Sequence, residues 1–276
     1  MHGYPIREAC TLLDLAPSSY YYRSGSVDEG ELVAAIKTVA GQYVRYGTRR
    51  VTAQLRRSPY HYRINRKRVQ RLMRQLGLLR RRKRSAVRTT DSRHAYVRFP
   101  NLVKDLVVNH PDQVWVSDIT YIHLGNGWVY LAIVLDVFTR AVRGWQVGPS
   151  LDMALSLGAL QRALQHGTPA IHHSDQGIHY AYRPYVQLLQ DHHVHVSMAA
   201  IGAAYENGYA ERFMRTLKDE EVSLSDYRDL ADVQQQLGHF IDDVYCTKRI
   251  HSALGYLTPA EFEANWRRST LAERHP

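Results

Sequence analysis

Cysteine is almost missing from this sequence. Cys10 and Cys246 are the only two and lie far apart. Neither a disulfide framework nor a cysteine-based zinc site is expected, and a reducing cytosol fits. Long apolar runs are missing too. None reaches the roughly 18 residues that a membrane span needs. The N-terminus, "MHGYPIREAC", has no signal-peptide hydrophobic core. The expectation is a cytoplasmic protein with no membrane partner. The most informative absence is acidic. From Arg45 to Arg84 there is no Asp or Glu, against sixteen Lys and Arg. The chain holds 36 Lys+Arg and 26 Asp+Glu, so outside that stretch twenty basic residues face all 26 acids. The net charge of +10 therefore belongs to one segment. A basic segment with a mildly acidic remainder points to a polyanion-binding module joined to something else. A merely solvated helix face would mix both signs.

What is present suits a soluble globular protein of one or two domains: 276 residues, 45% hydrophobic and 22% charged. Ile6, Ala9, Cys10 and Leu13 fall on one helical face, and Pro17 can open a second short helix. Residues 31–79 hold three helical stripes. Leu32, Ala35, Ile36 and Val39 form the first. "YGTRRVTAQLRR" forms the second, with Thr48 as N-cap and Val51 and Leu55 inward. "INRKRVQRLMRQLGL" forms the third, with Asn65 as N-cap, Val69, Leu72, Met73 and Leu76 inward, and Gly77 past its end. Arg66, Lys67, Arg68, Arg71 and Arg74 lie on its outer face. Three helices with a basic last one make a helix-turn-helix layout. A plain three-helix bundle is the alternative. Arg49 and Arg50 join the candidate DNA contacts. "LRRRKRSAVRTTDSRHA" is polar, unpatterned, and reads as a linker that can track a phosphate backbone.

From about residue 109 the composition turns β-branched and aromatic. "DQVWVSDITYIHL", "WVYLAIVLD" and "RAVRGWQV" read as three strands, with the turn signal "GNG" between the first two. Helices and strands then alternate in the order β-β-β-α-β-α-β-α. Three antiparallel strands extended by two parallel ones, flanked by helices, form a ribonuclease-H-like α/β arrangement. One fold hosts many functions, so function rests on the site residues.

Asp118 lies inside the first strand, sharing a face with Val116 and Thr120. An ionised carboxylate there is costly unless paired or bound to metal. Asp175, in "HHSDQGIHY", lies just past the fourth strand, with Gly177 allowing a turn. If the first and fourth strands are adjacent and parallel, the two aspartates meet, and they repel unless a divalent cation sits between them. Glu211 can supply a third acid. In "YAERFMRTLK", Ala210, Phe213, Met214 and Leu217 form the buried stripe, and Glu211, Arg215 and Lys218 share another face. Lys218, two turns on, stands above Glu211. Three carboxylates can hold two Mg²⁺ for phosphodiester chemistry. Alone, an aspartate after a strand is more often a turn residue, and a helical glutamate is usually just solvated.

Asp175 and Glu211 are separated by thirty-five residues, with a basic residue seven beyond the glutamate. This resembles the DDE core of retroviral integrases and bacterial insertion-sequence transposases. "WVSDITYI", "LDVFTRAVRGW", "HSDQGIHY", "ENGYAERFMRTLKDEEV" and "KRIHSALGYLTPAEF" carry the resemblance. With "YGTRRVTAQL" and "INRKRVQRLMRQLGL", they are similar to the second-reading-frame (OrfB) protein of the large insertion-sequence family numbered three. The resemblance implies binding to the double-stranded terminal inverted repeats of an element. It implies 3′-end nicking by water, joining of the 3′-OH to DNA, and a circular intermediate. It also implies catalysis and metal binding by Asp118, Asp175 and Glu211, with two Mg²⁺, or Mn²⁺ in their place. An upstream reading frame, through frameshifted fusion, would supply a further helix-turn-helix and a zipper, and "YPIREAC" begins in mid-pattern. A homo-oligomer would form on DNA in a bacterial, nucleoid-associated setting.

The expected division is 1–28 helical hairpin, 29–84 helix-turn-helix, 85–108 basic linker, 109–265 catalytic core with C-terminal helices, and 266–276 tail. The loop "SMAAIGAAYEN", residues 197–207, lacks the basic residues usual in the family. Glu206 is a second acid near Glu211, and Asp136 is a weaker candidate that could be a turn or capping residue. A catalytically silent DNA-binding regulator is the competing reading, but a pure binder gains nothing from buried acids. A cellular nuclease would not need the helix-turn-helix or "HSALGYLTPAEF".

Overall fold

In the computed structural model, residues 5–21, 29–79, 98–125, 127–200 and 207–274 are described. The sheet starts from a hairpin. β1 (Val114–Leu124) and β2 (Gly127–Asp136) pair antiparallel from Trp115↔Asp136 to Leu124↔Gly127. The chain turns after Leu124 at Gly125, which stands at φ 46°, where a glycine is favoured. Asn126 lies outside the described residues. β3 (Val142–Gly148) pairs antiparallel with β2. β4 (Ile171–Ser174) adds to the free edge of β1 in parallel, and β5 (His195–Met198) adds to β4. The order is β3-β2-β1-β4-β5, the ribonuclease-H-like arrangement expected.

Period-two alternation decides what each face buries. From β1, Trp115 points to the side of α6 (Met153–Leu164), where it joins Ala132, Val134, Leu155, Ala159 and Ala163. Val114, Val116 and Ile122 point to the other side. There they pack with Ala210, Phe213, Met214 and Leu217 of α8 (Gly208–Glu220), and with α9 (Leu230–Gly238). Gly144 of β3 is required for close approach: a Cβ there would lie 2.3 Å from the Ala159 carbonyl oxygen. α7 (Arg183–Asp191) bridges β4 and β5. Asp118 therefore lies on the α8 side of the central strand.

The basic segment folds as three helices, α3 (Gly30–Gln42), α4 (Thr48–Leu55) and α5 (Arg66–Gln75). Leu32, Ala35, Ile36, Val39, Val51, Leu55, Val69, Leu72 and Met73 form their core, as the stripes predict. Asn65 caps α5 by accepting from the Lys67 amide at 2.9 Å, and Gly77 follows it at φ 69°. Ile250, from the C-terminal part of the chain, is buried in the same cluster.

Four expectations change. Thr48 is the first residue of α4, not its N-cap; Gly47 holds that position in extended backbone without a side-chain bond. In the hairpin of α1 (Ile6–Leu12) and α2 (Pro17–Tyr21), only Cys10 is buried, while Ile6 and Leu13 are exposed. Residues 98–108, assigned to the linker, are built into the core. Leu102 donates to Ser197 Oγ at 2.9 Å, and Val103 and Val108 pack on the α8 layer. Residues 85–97 lie outside the described part. Residues 266–274, expected as tail, continue α10 (Pro259–Arg274).

Candidate active site

The parallel pairing of β1 and β4 fixes the first two acids. Val116 faces His173 in the ladder, and Asp118 and Asp175 each lie two residues further on. Asp118 is half-buried, and its Oδ1 accepts the Ile119 amide at 2.9 Å. Asp175 Oδ1 accepts the Gly177 amide at 2.9 Å, an Asx-type turn closing the strand end. A Cβ on residue 177 would lie 2.9 Å from that oxygen, so the glycine leaves room for the carboxylate. Glu211 stands exposed in the first turn of α8, the helix whose buried stripe packs on the Asp118 side of the sheet.

Asp118 is pushed up to about 7. Burial is the largest cause, followed by the Asp175 charge; the Ile119 amide opposes them, Glu211 adds to them and Lys218 opposes them. The two other acids and Lys218 thus lie within electrostatic reach of Asp118. Reach is not coordination. Among the described residues, no three His, Cys, Asp or Glu side chains converge closely enough to hold a metal ion as they stand.

Several residues around the acids carry no obvious sequence signal. Asn207 is 3% exposed; its Nδ2 donates to the Ser117 carbonyl at 2.9 Å, while its buried Oδ1 has no partner among the described residues. This pins the start of α8 to the residue before Asp118. An asparagine before a helix suggests a cap, but Asn207 makes no capping bond. Tyr180 is buried, its hydroxyl without a partner among the described residues; burial pushes it above the usual range, and the charges of Asp118 and Asp175 add to that. The two histidines of "HHSD" are structural. His172 Nε2 pairs with Ser117 Oγ at 2.7 Å and Tyr185 Oη at 2.9 Å, and burial lowers it to about 3, so it is neutral. His173 Nδ1 meets Ser197 Oγ at 2.9 Å, tying β4 to β5.

Lys218 is half-buried, with Nζ 4.5 Å from the Tyr121 ring centroid, and Arg215 is exposed. Asp136 takes its turn-forming reading. It is fully buried and accepts the Thr139 amide at 2.9 Å and the Asp112 amide at 3.2 Å, with Arg143 at 3.7 Å. Glu206 lies outside the described residues, as do 201–205 of the non-basic loop.

The candidate DNA contacts divide into two groups. Arg49, Arg66, Lys67 and Arg74 are exposed, and their side chains make no hydrogen bond among the described residues. Arg68 and Arg71 instead share Glu29, at 2.7 and 2.6 Å. Arg50 turns inward to Glu220 at 3.3 Å. These three guanidiniums hold protein carboxylates.

Residues 108–204 match the integrase core domain family, residues 192–259 match a second family of the same description, and residues 27–86 match an HTH-like domain. The chain is 32% identical over 274 residues to the transposase for insertion sequence element IS629 of Shigella sonnei, covering 94% of this chain and 92% of that protein. It is 33% identical over 223 residues to the transposase for IS904 of Lactococcus lactis subsp. lactis (strain IL1403), covering 79% and 87%. Identity is also 33% over 223 residues to transposase InsF for IS3A of Escherichia coli (strain K12), covering 79% and 77%. Among solved structures, the HTLV-2 integrase catalytic core domain in complex with magnesium (trimeric form) aligns at 15% identity. Its TM-score is 0.44, over 56% of this chain and 97% of that one. The simian T-cell lymphotropic virus intasome in complex with PP2A regulatory subunit B56 gamma aligns at 14% identity. Its TM-score is 0.49, over 83% and 74%. No helix of the described residues is long and apolar enough to cross a membrane.

Proposed function

We propose, from the premise that this chain belongs to the insertion-sequence transposases and carries their integrase core domain, that Asp118, Asp175 and Glu211 are its catalytic, metal-binding acids. As a transposase with that core it is a polynucleotidyl transferase. The finer reading is that it binds the terminal inverted repeats through residues 29–84, nicks a 3′ end and joins the freed 3′-OH to DNA. The observation that carries this reading is the placement of Asp118. It is a half-buried acid inside a central strand, acted on by the charges of Asp175, Glu211 and Lys218.

The donor set suits a hard divalent cation. All three side chains offer carboxylate oxygens, which favour Mg²⁺ and accept Mn²⁺. Neutralising them relieves the repulsion that burdens Asp118. Bound as a pair, such ions would activate the attacking oxygen and stabilise the leaving oxygen of the phosphodiester. The chain does the rest. Asp118 and Asp175 are presented from neighbouring parallel strands, and Asn207 holds the start of α8 so that Glu211 can close on them. Lys218 and Arg215 present positive charge to the phosphates on the same helix. Arg49, Arg66, Lys67 and Arg74 bind the duplex electrostatically.

Both ends of an element must be held at once, so a homo-oligomer forms on DNA. The product of an upstream reading frame assists, separately or as a frameshift fusion. The first joining links one end to the other and gives a circle. The test is direct. Labelled element ends incubated with the protein and Mg²⁺ should yield 3′ nicks and joined products. Ends that are bound and left uncut would instead support a silent regulator.

A further inference from the structure

The three-helix module rests on the C-terminal part of the core, and the seam between them is a basic groove. Arg49, Arg56 and Arg66 line one wall of a hollow of about 380 Å³; Gly255, Tyr256 and Leu257 of the core line the other. Arg56 and Arg66 also line an adjoining hollow with His61 and Arg63, so the groove runs on around the start of α5. Among the described residues no acid lines either hollow. Arg49, Arg63 and Arg66 are exposed, and their side chains make no hydrogen bond or ion pair among the described residues. The inward-turned arginines are matched with carboxylates, and these are not.

The core wall is held in an unusual conformation. Gly255 and Tyr256 both stand at φ 64°. A bulky residue there is a genuine outlier, and such strain persists only where the surroundings over-determine it. Arg57 of the helical module does so by donating to the Tyr256 carbonyl at 2.7 Å, while the Tyr256 amide donates to His251 O at 2.8 Å. The same Arg57 pairs with Glu261. The docking of the module thus builds the second wall.

We propose that this groove carries the sugar–phosphate backbone of duplex DNA as it leaves the helix-turn-helix, so that the DNA-binding face is completed by the core's own turn at residues 255–257. Guanidinium groups without acids suit a phosphate chain. The proposal rests on reading residues 29–84 as the DNA-binding module.

The test uses the full chain and a random-sequence duplex, with affinity followed by fluorescence anisotropy across salt. Arg49→Ala with Arg66→Ala should weaken binding and reduce the log-log salt slope by about 1.8, or about 0.9 per lost phosphate contact. Leu257→Glu should bind roughly fivefold more weakly than Leu257→Gln, because only the former adds a negative charge beside the phosphates. Equal affinities for those two variants, with weak binding by the arginine pair, would overturn the core's part and leave the module's. Normal binding by the arginine pair alongside weak binding by Lys67→Ala with Arg74→Ala would overturn the groove alone. Normal binding by both pairs would sink the module's reading as well. If the Leu257 variants do not fold, a photo-crosslinking p-benzoylphenylalanine at Tyr256 decides the matter. Crosslinks to the duplex support the composite groove, and intact binding without crosslinks refutes it.

Discussion

Arg50 of α4 donates to Glu220 at 3.3 Å, and Glu220 ends the helix whose first turn bears Glu211. Arg249 grips the same carboxylate with two bonds, at 2.6 and 2.7 Å, while only 3% exposed. Arg45 donates to the Asp219 carbonyl at 2.7 Å, and Tyr46 Oη accepts the Ile250 amide at 2.9 Å. α8 is therefore fixed at its start by Asn207 and at its end by the helical module. Cations at a helix C-terminus also complement its dipole.

This clamp should dominate the seam. Glu220→Ala leaves Arg249 buried without its partner, which typically costs about 3 kcal/mol. Arg50→Ala, at a more exposed pair, should cost about 1 kcal/mol or less. Urea unfolding would measure both. A Glu220→Ala variant within about 1 kcal/mol of wild type would show that the clamp contributes little.

Glu29 should restrain DNA binding. It occupies Arg68 and Arg71 on the outer face of α5. Glu29→Gln should free both guanidiniums, tighten duplex binding and steepen the salt slope by up to about 1.8. An unchanged slope would mean that these arginines do not reach phosphates even when released.

Asn207→Ala removes one buried hydrogen bond, a loss of about 1 kcal/mol. Its larger effect should be on chemistry, since Asn207 joins the start of α8 to Ser117. End joining should fall more than tenfold and require more Mg²⁺, while duplex affinity stays unchanged. Wild-type joining at ordinary Mg²⁺ would remove Asn207 from the positioning of Glu211.

Asp118 is a burden on the metal-free protein. Burial and the neighbouring acids oppose its charge. Asp118→Asn should therefore raise Tm by a few degrees without metal. Mg²⁺ should raise the Tm of the wild type and leave that of Asp118→Asn unmoved. A wild-type Tm indifferent to millimolar Mg²⁺ would count against a metal site at Asp118.

Much of this architecture was readable from periodicity. Val114, Val116 and Ile122 alternate along β1, and the 3.6-residue stripe of Ala210, Phe213, Met214 and Leu217 sets how α8 sits. Those two patterns place Asp118 on the face that α8 covers, while Glu211 falls beside the buried stripe rather than on it. What periodicity does not carry is long-range pairing. Arg50 and Arg49 look alike in "GTRRV", yet one turns to Glu220 and the other to solvent. Nothing local in the basic helix announces that Glu29 holds Arg68 and Arg71. The "KRIHSALGYLTPAEF" segment carries only a family resemblance in sequence; its physical role, supplying a wall and Ile250 to the helical module, needs the tertiary fold. Exposed Ile6 and Leu13 show that an apolar stripe does not by itself ensure a covering partner.

The central claim is that Asp118, Asp175 and Glu211 act together on the phosphodiester. The most direct measurement compares Asp118→Asn, Asp175→Asn and Glu211→Gln with wild type, scoring 3′ nicking, strand joining and duplex affinity in Mg²⁺ and Mn²⁺. Glu206→Gln serves as the control. Each of the three variants should lose nicking and joining by orders of magnitude with either ion, because shared ligands serve both ion positions. Each should keep wild-type affinity for the duplex, and Glu206→Gln should keep full activity. A Glu211→Gln variant that still nicks and joins ends, beside an inactive Glu206→Gln, would contradict the account and move the third acid off α8.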